Sequence, residues 1–261
     1  MLDKITVAAW IITHPHSDHV GVASEFLRRY DSDDLTIQQM IMNFPTDKEI
    51  KAVEPVTVED TSAPYRMPTF LLALQKRWGD VPVTVSHTGQ VYHFADAKIE
   101  FLHTAEDIYP KSLTSFSEDP INGTSTVFRV EIGGQKIMFY GDANVDSSAD
   151  MVEMWGDYLK SDIMQANHHG LNGGSIALYE HTDPNVVLVP MSVKFIPDVL
   201  SHEYSRWIWN NGSGNIREVM LVEWEEYSLD LPYTSPADAP YFSANAEDPW
   251  GGLAEKYKVN P

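Results

Sequence analysis

Residues 13–21 read Thr-His-Pro-His-Ser-Asp-His-Val-Gly, which places three histidines and one aspartate within six positions. They follow a β-branched and apolar stretch, residues 5–13, that predicts a buried strand, parallel and central in its sheet. Because alternate residues of an extended segment point the same way, His14 and His16 can reach one metal ion. Asp18 and His19 lie where the chain turns into a helix and can reach a second ion. The stretch therefore predicts a metal site at a strand end.

The side chains of this stretch restrict the chemistry of the site. Imidazole and carboxylate ligands suit Zn, Mn or Fe. The chain has no cysteine, which excludes a thiolate zinc site, a disulfide scaffold and a cysteine nucleophile. The alternative interpretation is a solvated turn that happens to be rich in histidine. Ten histidines in 261 residues make this particular spacing a rare accident, so the metal site is the better interpretation.

Strand and helix patterns alternate along the chain in two blocks, which predicts a layered α/β fold. The glycine pair 133–134 predicts a two-residue hairpin turn, and Ser147 or Ser148 is a plausible helix N-cap. After the first strand, we predict strands at 35–44, 81–86, 90–94, 98–103, 124–132, 136–140, 162–166, 186–190 and 217–223. We predict helices at 20–30, 68–78, 149–159, 175–181 and 202–209.

Three segments, in this order, resemble one protein family. The pattern His14-x-His16-x-Asp18-His19 matches the signature of the metallo-β-lactamase fold, a large family of mostly dinuclear hydrolases. Residues 139–142, Phe-Tyr-Gly-Asp, resemble its strand-end "GD", and residues 167–170, Asn-His-His-Gly, resemble its "HHG". The stretch from Asn122 through the 133–134 glycine pair to Asp142 resembles the branch of competence-protein (DNA-uptake) domains and phosphorylcholine esterase. The resemblance extends to about His202.

The resemblance implies a four-layer αββα sandwich and a metal-dependent hydrolase. It implies a centre of two Zn²⁺ ions, with Mn²⁺ or Fe as alternatives, and a bridging hydroxide as the nucleophile. Asp142 would bridge the ions, one of His168 and His169 would bind the second metal, and His168 is the first choice. The other histidine would bind a substrate oxyanion or support the ligand. The expected catalytic residues are Asp18, His168 and His169. The expected metal ligands are His14, His16, Asp18, His19, Asp142, His168 and His169.

Two features depart from the family pattern. Family members carry two or more strands before the first motif, so we expect an incomplete N-terminus and a sheet that lacks its first strands. The third-motif histidine is absent, as is usual in the competence-type branch, and Asn122 is expected near the vacancy. His202, just before a predicted helix, is the second candidate for substrate binding. We expect one metallo-hydrolase domain over residues 1–230 and an irregular, proline-rich acidic tail over 231–261.

Charge and composition restrict the partners. Eighteen basic residues against 38 acidic ones give a net charge of −20, and the chain has no dense Lys/Arg cluster. Because nucleic-acid binding depends on such clusters, long nucleic acids are unlikely substrates and a small molecule or short ester is expected. No apolar run approaches the ~20 residues that span a bilayer, so we expect a soluble, cytoplasmic protein. The oligomeric state is left open.

Three functions remain open at this point. The first is a hydrolase of phosphoesters, of the phosphodiester type, or of a related small ester. The second is an acyl hydrolase that acts on a lactone, a thioester or a β-lactam. The third is a non-catalytic module or a fragment that completes its sheet with a partner. Metal content separates the third from the other two, and a substrate panel separates the first two.

Overall fold

A computed structural model describes residues 5–33, 35–53, 67–108, 119–221 and 228–239. The chain divides into two compact units, residues 1–90 with 101–126 and residues 91–100 with 127–261. Both units combine helices with sheets, which confirms the predicted α/β class and is consistent with the metallo-β-lactamase-like sandwich. That its first strands are missing stays a prediction. Residues 228–239 contain no helix or strand, and 240–261 of the predicted tail lie outside the described residues.

The strands of the first unit are short and parallel. They are β1 (Ile5–Val7), β2 (Trp10–Ile11), β3 (Leu35–Ile37), β4 (Met40–Ile41) and β5 (Val83–Thr84). β1 pairs with β3, and β2, β4 and β5 form a second sheet in that order.

The single central strand predicted over residues 5–13 is wrong, although its parallel pairing is confirmed. The ladder breaks at Ala8 and Ala9, which have a weak β preference, and the two halves join different sheets. Ile5 is 68% exposed, and β2 lies at an edge among the described strands of its sheet. The strand predicted over 35–44 is likewise divided, at the polar pair Gln38 and Gln39.

The helices of the first unit pack on an apolar core. They are α1 (Ser17–Arg29), α2 (Asp47–Val53), α3 (Met67–Trp78), α4 (Ala105–Ile108) and α5 (Pro120–Gly123). Helix α1 packs on α3 and buries Val20, Ala23 and Leu27, which recur at the three- and four-residue spacing of one helix face. Burial of this face fixes the position of α1. Its first turn, which contains Asp18 and His19, therefore begins directly after the N-cap residue His16.

One sheet dominates the second unit, and the described strands follow the order β12-β11-β10-β9-β8-β7-β6. The strands are β6 (Val91–Phe94), β7 (Ala97–His103, its last three residues assigned to the first unit), β8 (Val127–Ile132), β9 (Gln135–Phe139), β10 (Ile163–Gln165), β11 (Val186–Val189) and β12 (Glu218–Leu221). β9 to β12 are parallel, whereas β8 and β9 form the predicted hairpin. Gly133 and Gly134 have φ of 59° and 78°, as a tight hairpin turn requires.

The helices of the second unit follow the parallel strands. They are α6 (Val145–Trp155), α7 (Ile176–Thr182), α8 (Ile196–Val199) and α9 (Glu203–Trp209), with 3₁₀ turns at Gly156–Leu159, Asn167–Gly170 and Val193–Phe195. The N-cap of α6 is Asn144, whose side chain accepts from the Ser147 N–H at 3.0 Å, so neither Ser147 nor Ser148 caps it. Among the described residues, no helix has the length and apolar character needed to cross a bilayer.

Parallel strands end at one edge of the sheet, and this edge carries the polar segments of the second unit. Residues 140–142 follow β9, residues 166–170 follow β10, and Pro190 follows β11. Because β9, β10 and β11 are neighbours, the topology brings Asp142, His168 and His169 to one place.

Candidate metal centre

The first unit contains a histidine cluster, which we define as His14, His16 and His19. The rings of His14 and His16 are fully buried, and Nε2 of His14 lies 3.1 Å from Nδ1 of His16. The ring centres of His14 and His19 are 4.1 Å apart. Two nitrogen ligands of a tetrahedral zinc ion, each about 2.1 Å from the metal, lie about 3.4 Å from each other. The spacing of His14 and His16 therefore suits two ligands of one ion.

Neighbouring side chains hold the other ring nitrogens of these two histidines. Nδ1 of His14 lies 3.1 Å from the Thr13 hydroxyl and 3.2 Å from the Ser125 hydroxyl. Nε2 of His16 lies 3.7 Å from a carboxylate oxygen of Asp119, whose side chain is 8% exposed. Histidines that bind metals are commonly oriented in this way through the nitrogen that does not bind. The arrangement turns Nε2 of His14 and Nδ1 of His16 towards each other.

Asp18 and His19 occupy the first turn of α1, beside the histidine cluster. The positive end of the helix dipole favours a carboxylate at this position. An Asp18 oxygen lies 3.6 Å from Nε2 of His19, and Nδ1 of His19 is 3.4 Å from the Thr13 hydroxyl. The Asp18 side chain is 46% exposed, so a ligand or a water molecule can reach its carboxylate from solvent.

The second unit contains an aspartate–histidine cluster, which we define as Asp142, His168 and His169. One oxygen of the buried Asp142 lies 3.4 Å from Nε2 of His169 and 3.8 Å from Nε2 of His168. Both histidines have left-handed backbones, with φ of 46° and 58°. Such conformations cost non-glycine residues about 1–3 kcal/mol each and cluster at functional sites. The structure therefore brings the three predicted residues together at a strained turn.

The two histidines of this turn are held differently. Nδ1 of His169 lies 3.1 Å from the Pro190 carbonyl oxygen. Since a carbonyl only accepts, Nδ1 donates this hydrogen bond, and Nε2 is the ring nitrogen that faces Asp142. The backbone of His168 passes close to Gly173, where an added Cβ would lie 2.5 Å from the His168 Cβ. Of the two rings, that of His169 is held by the Pro190 carbonyl and lies nearer the Asp142 carboxylate, at 3.4 Å against 3.8 Å for His168.

Tyr140 anchors the segment that leads to Asp142. Its hydroxyl is hydrogen-bonded to the Thr182 hydroxyl on α7, and Thr182 donates to the Leu178 carbonyl at 2.7 Å. Burial raises the pKa of Tyr140 far above its ordinary value of 10.0, so the hydroxyl stays neutral. The anchor fixes the chain two residues before the Asp142 carboxylate.

The two residues predicted to bind substrate have different surroundings. Asn122 is 3% exposed in α5, and its carbonyl accepts from the Ser125 N–H at 3.0 Å. It thus supports the residue whose hydroxyl contacts His14. His202 precedes α9, and its ring stacks on Tyr204 with 5.7 Å between ring centres.

The sequence motifs do not predict five side chains that contact these clusters or their loops. Thr13, Ser125 and Asp119 contact the histidine cluster, and Gln165 and Asn167 are hydrogen-bonded to the loop that carries Asp142. Thr13 and Asn167 adjoin their motifs, so position alone could have indicated them. Gln165 is polar in an otherwise apolar strand, which is a weaker signal. Asp119 and Ser125 are more than 100 residues from the histidines that they contact, and the sequence gives no local sign of them.

The chain belongs to the Metallo-beta-lactamase superfamily, because the model of that family matches residues 2–190. Members of this superfamily typically bind divalent metals, and the imidazole donors of the histidine cluster and the imidazole and carboxylate donors of the aspartate–histidine cluster fit such ions. The matching model is that of the whole superfamily, so the resemblance to the competence-protein branch stays a prediction. None of the proteins of curated function matches the chain.

Several solved structures are similar to this chain at low sequence identity. A mutant of the β-hydroxylase CmlA matches 85% of this chain at 12% identity, with a TM-score of 0.46. CmlA from Streptomyces venezuelae, a diiron β-hydroxylase, matches 72% at 12% identity, with a TM-score of 0.40. The metallo-beta-lactamase fold protein YhfI from Bacillus subtilis matches 83% at 14% identity, with a TM-score of 0.40. The alignments span 44%, 36% and 75% of those chains, respectively.

Proposed function

We propose that the protein is a metal-dependent hydrolase of the dinuclear kind, with its metal ligands among the histidine cluster, Asp18 and the aspartate–histidine cluster. One observation carries the proposal. Nε2 of His14 and Nδ1 of His16 face each other at 3.1 Å, while hydroxyl groups lie 3.1 and 3.2 Å from Nδ1 of His14 and Asp119 lies 3.7 Å from Nε2 of His16. Membership of the superfamily supports the same conclusion. The proposed ions are two Zn²⁺, with Mn²⁺ or Fe as alternatives.

The roles of the side chains follow from their protonation and exposure. Two divalent cations, when bound, would lower the pKa of a water molecule and stabilise negative charge on the substrate. Asp18, with its exposed carboxylate, accepts the proton of the attacking water. His169 presents Nε2 as a ligand, because Nδ1 donates to Pro190. His168, whose side chain is 15% exposed, is the proposed proton donor to the leaving group.

The proposed substrate is a small phosphoester of the phosphodiester type. The net charge of −20 opposes long polyanions, so the protein acts on a small molecule rather than on nucleic acid. The resemblance of residues 122–142 to the phosphorylcholine esterase branch favours phosphodiester over acyl chemistry. We place the protein in the cytoplasm as part of the same proposal.

Metal content and turnover of single variants test the proposed centre. Purified wild-type protein is expected to contain two equivalents of Zn²⁺ or Mn²⁺ by elemental analysis. His16→Ala and Asp142→Ala remove a ligand each and should abolish full metal loading and turnover. His181→Ala is the matched control, because this histidine pairs with exposed Asp157 on the surface. Full activity in Asp142→Ala would refute the assignment.

A substrate panel tests the proposed reaction. The metal-loaded protein is assayed with p-nitrophenyl phosphodiesters, simple lactones and nitrocefin, each with the Asp142→Ala variant as the background. We expect variant-sensitive hydrolysis of a phosphodiester. Hydrolysis of lactones or nitrocefin alone would refute the proposed phosphoester substrate and favour an acyl hydrolase. It would not contradict the proposed metal binding. Absence of metal from the folded protein would instead favour the non-catalytic module.

A further inference from the structure

Gln165 joins the loop that carries Asp142 to the strand that leads to the two histidines. It is the last residue of β10 and pairs in register with Phe139, the last residue of β9. Its Oε1 accepts from the N–H groups of Tyr140 at 3.1 Å and Gly141 at 2.9 Å. Its Nε2 donates to the Gly141 carbonyl at 3.2 Å and to the carbonyl of Ala166. One side chain therefore satisfies backbone groups of both loops.

Asn167 makes a second connection on the other side of Asp142. It is fully buried, and its Nδ2 donates to the Ala143 carbonyl at 3.0 Å. The backbone N–H of His168 donates to the Gly141 carbonyl, also at 3.0 Å. The residues that immediately precede and follow Asp142 are thus both bonded to the segment that ends in the strained histidine pair.

These bonds begin where the sheet can no longer align the two loops. The β9–β10 ladder ends at the pairing of Phe139 with Gln165, and Asp142 lies three residues further along. The left-handed conformations of His168 and His169 persist only if their surroundings fix them. The amide side chains of Gln165 and Asn167 hydrogen-bond the adjoining loops and so contribute to that fixation. The sheet itself does not need an amide at position 165, because an apolar residue could pair there equally well.

We infer that Gln165 and Asn167 are positioning residues that set the spacing between the Asp142 carboxylate and Nε2 of His169, and so the affinity for the second metal ion. They act through the backbone and contact neither the ion nor the substrate. The inference rests on the proposed function, since it assumes that Asp142 and His169 are ligands. Partners that orient metal ligands typically change metal affinity by about tenfold to a hundredfold when they are removed.

Zn²⁺ titration of chelator-treated protein by competition calorimetry tests this inference. Gln165→Met keeps the length of the side chain and removes all four hydrogen bonds. The matched control is Gln135→Met. Gln135 is the first residue of β9, at the end of that strand far from Asp142, and its side-chain amide likewise donates to and accepts from backbone groups, those of Tyr233. Thermal unfolding without metal is measured for both variants, so that a general loss of stability is separated from a loss of affinity.

We expect Gln165→Met to bind the second equivalent of Zn²⁺ about tenfold to a hundredfold more weakly, with the first equivalent unchanged. Gln135→Met should lower the unfolding temperature and keep both affinities. Gln165→Glu, which keeps the two acceptor bonds and loses the two donor bonds, should fall between wild type and Gln165→Met. If Gln165→Met does not fold, Gln165→Glu and Asn167→Ser carry the comparison.

The outcomes separate this inference from the proposed function. Equal second-site affinities in wild type and the Gln165 variants overturn the positioning role while the metal centre stands. Equal losses of affinity in Gln165→Met and Gln135→Met assign Gln165 to general stability and also overturn it. A wild-type protein that binds no Zn²⁺ refutes the proposed function itself.

Discussion

At the scale of single residues, hydrogen bonds decide which nitrogen of each histidine is available. The Ser125 and Thr13 hydroxyls occupy Nδ1 of His14, and the Pro190 carbonyl occupies Nδ1 of His169. In both residues Nε2 faces the other side chains of its cluster, although the groups that contact Nδ1 are of different types. Such partners orient the ring and fix its tautomer before any ion arrives.

Replacement of Ser125 by alanine tests this orientation in the histidine cluster. Ser125→Ala removes the 3.2 Å contact with His14 and leaves Thr13 as the remaining hydroxyl at Nδ1. We expect the first equivalent of Zn²⁺ to bind about tenfold more weakly in a calorimetric titration. Ser161→Ala is the control, because this buried serine donates to the Leu159 carbonyl in the other unit. Unchanged first-site affinity in Ser125→Ala would show that Thr13 alone orients the ring.

At the scale of elements, an ion pair between a buried arginine and a half-buried glutamate fastens the turn after α6 to the large sheet. Arg129 on β8 is 3% exposed and donates to a Glu100 oxygen on β7 at 2.8 Å. Arg129 also donates to the Tyr158 carbonyl and lies over its ring, and the Tyr158 hydroxyl donates to Glu100 at 2.7 Å. Since removal of one partner leaves the other charge buried, this network holds the 3₁₀ turn to the sheet.

The same network predicts an acid-dependent contribution to stability. Burial raises the pKa of Glu100, but hydrogen bonds from Tyr158 and Arg129 and the charge of Arg129 lower it, so that the pKa lies below its ordinary value of 4.5. A lowered carboxyl pKa stabilises the fold above the unfolded value, and this contribution disappears as the pH falls through the folded value. At pH 7, Glu100→Gln should cost about 1–2 kcal/mol of unfolding free energy, because it leaves the buried Arg129 without its charged partner and solvent screens part of the interaction.

Urea denaturation of wild type and Glu100→Gln at several pH values measures this contribution. The difference between the two proteins should be constant from pH 7 to pH 5 and should shrink below pH 4.5. Glu131→Gln is the control, because Glu131 is exposed and lies 3.9 Å from Lys98. A Glu100→Gln difference that stays constant down to the acid limit would contradict the role of the Glu100 charge.

Local signals explain which elements the sequence predicts well. The β8–β9 hairpin is confirmed because two glycines allow the positive φ angles of its turn. The break at Ala8 and Ala9 was not predicted, because residues 5–13 are β-branched or apolar throughout and the weak β preference of two alanines decides only where the pairing with two different strands divides them. The sequence predicts the N-cap of α6 at Ser147 or Ser148, three or four residues after the observed cap, Asn144. Serine is as common at N-caps as asparagine, and Asn144 lies only two residues after the predicted ligand Asp142.

At the scale of the whole molecule, the superfamily could be predicted from the sequence, whereas the side chains that contact the candidate ligands could not. The first motif, "GD" and "HHG" identify the superfamily, since their order and spacing are specific. The contacts of Ser125 with His14 and of Gln165 with the Asp142 loop depend on how distant strands pair. Residue spacing along one sequence carries no information on such contacts.

The central proposal is that the protein binds two neighbouring metal ions and that the Asp142 carboxylate would serve as a ligand to both. Electron paramagnetic resonance of chelator-treated protein, loaded with two equivalents of Mn²⁺, tests it most directly, because neighbouring ions that share a bridge are magnetically coupled. We predict that both equivalents bind and give a coupled spectrum, and that Asp142→Ala loses the coupling. Two equivalents with the spectrum of isolated ions, or no bound Mn²⁺ at all, would contradict the claim.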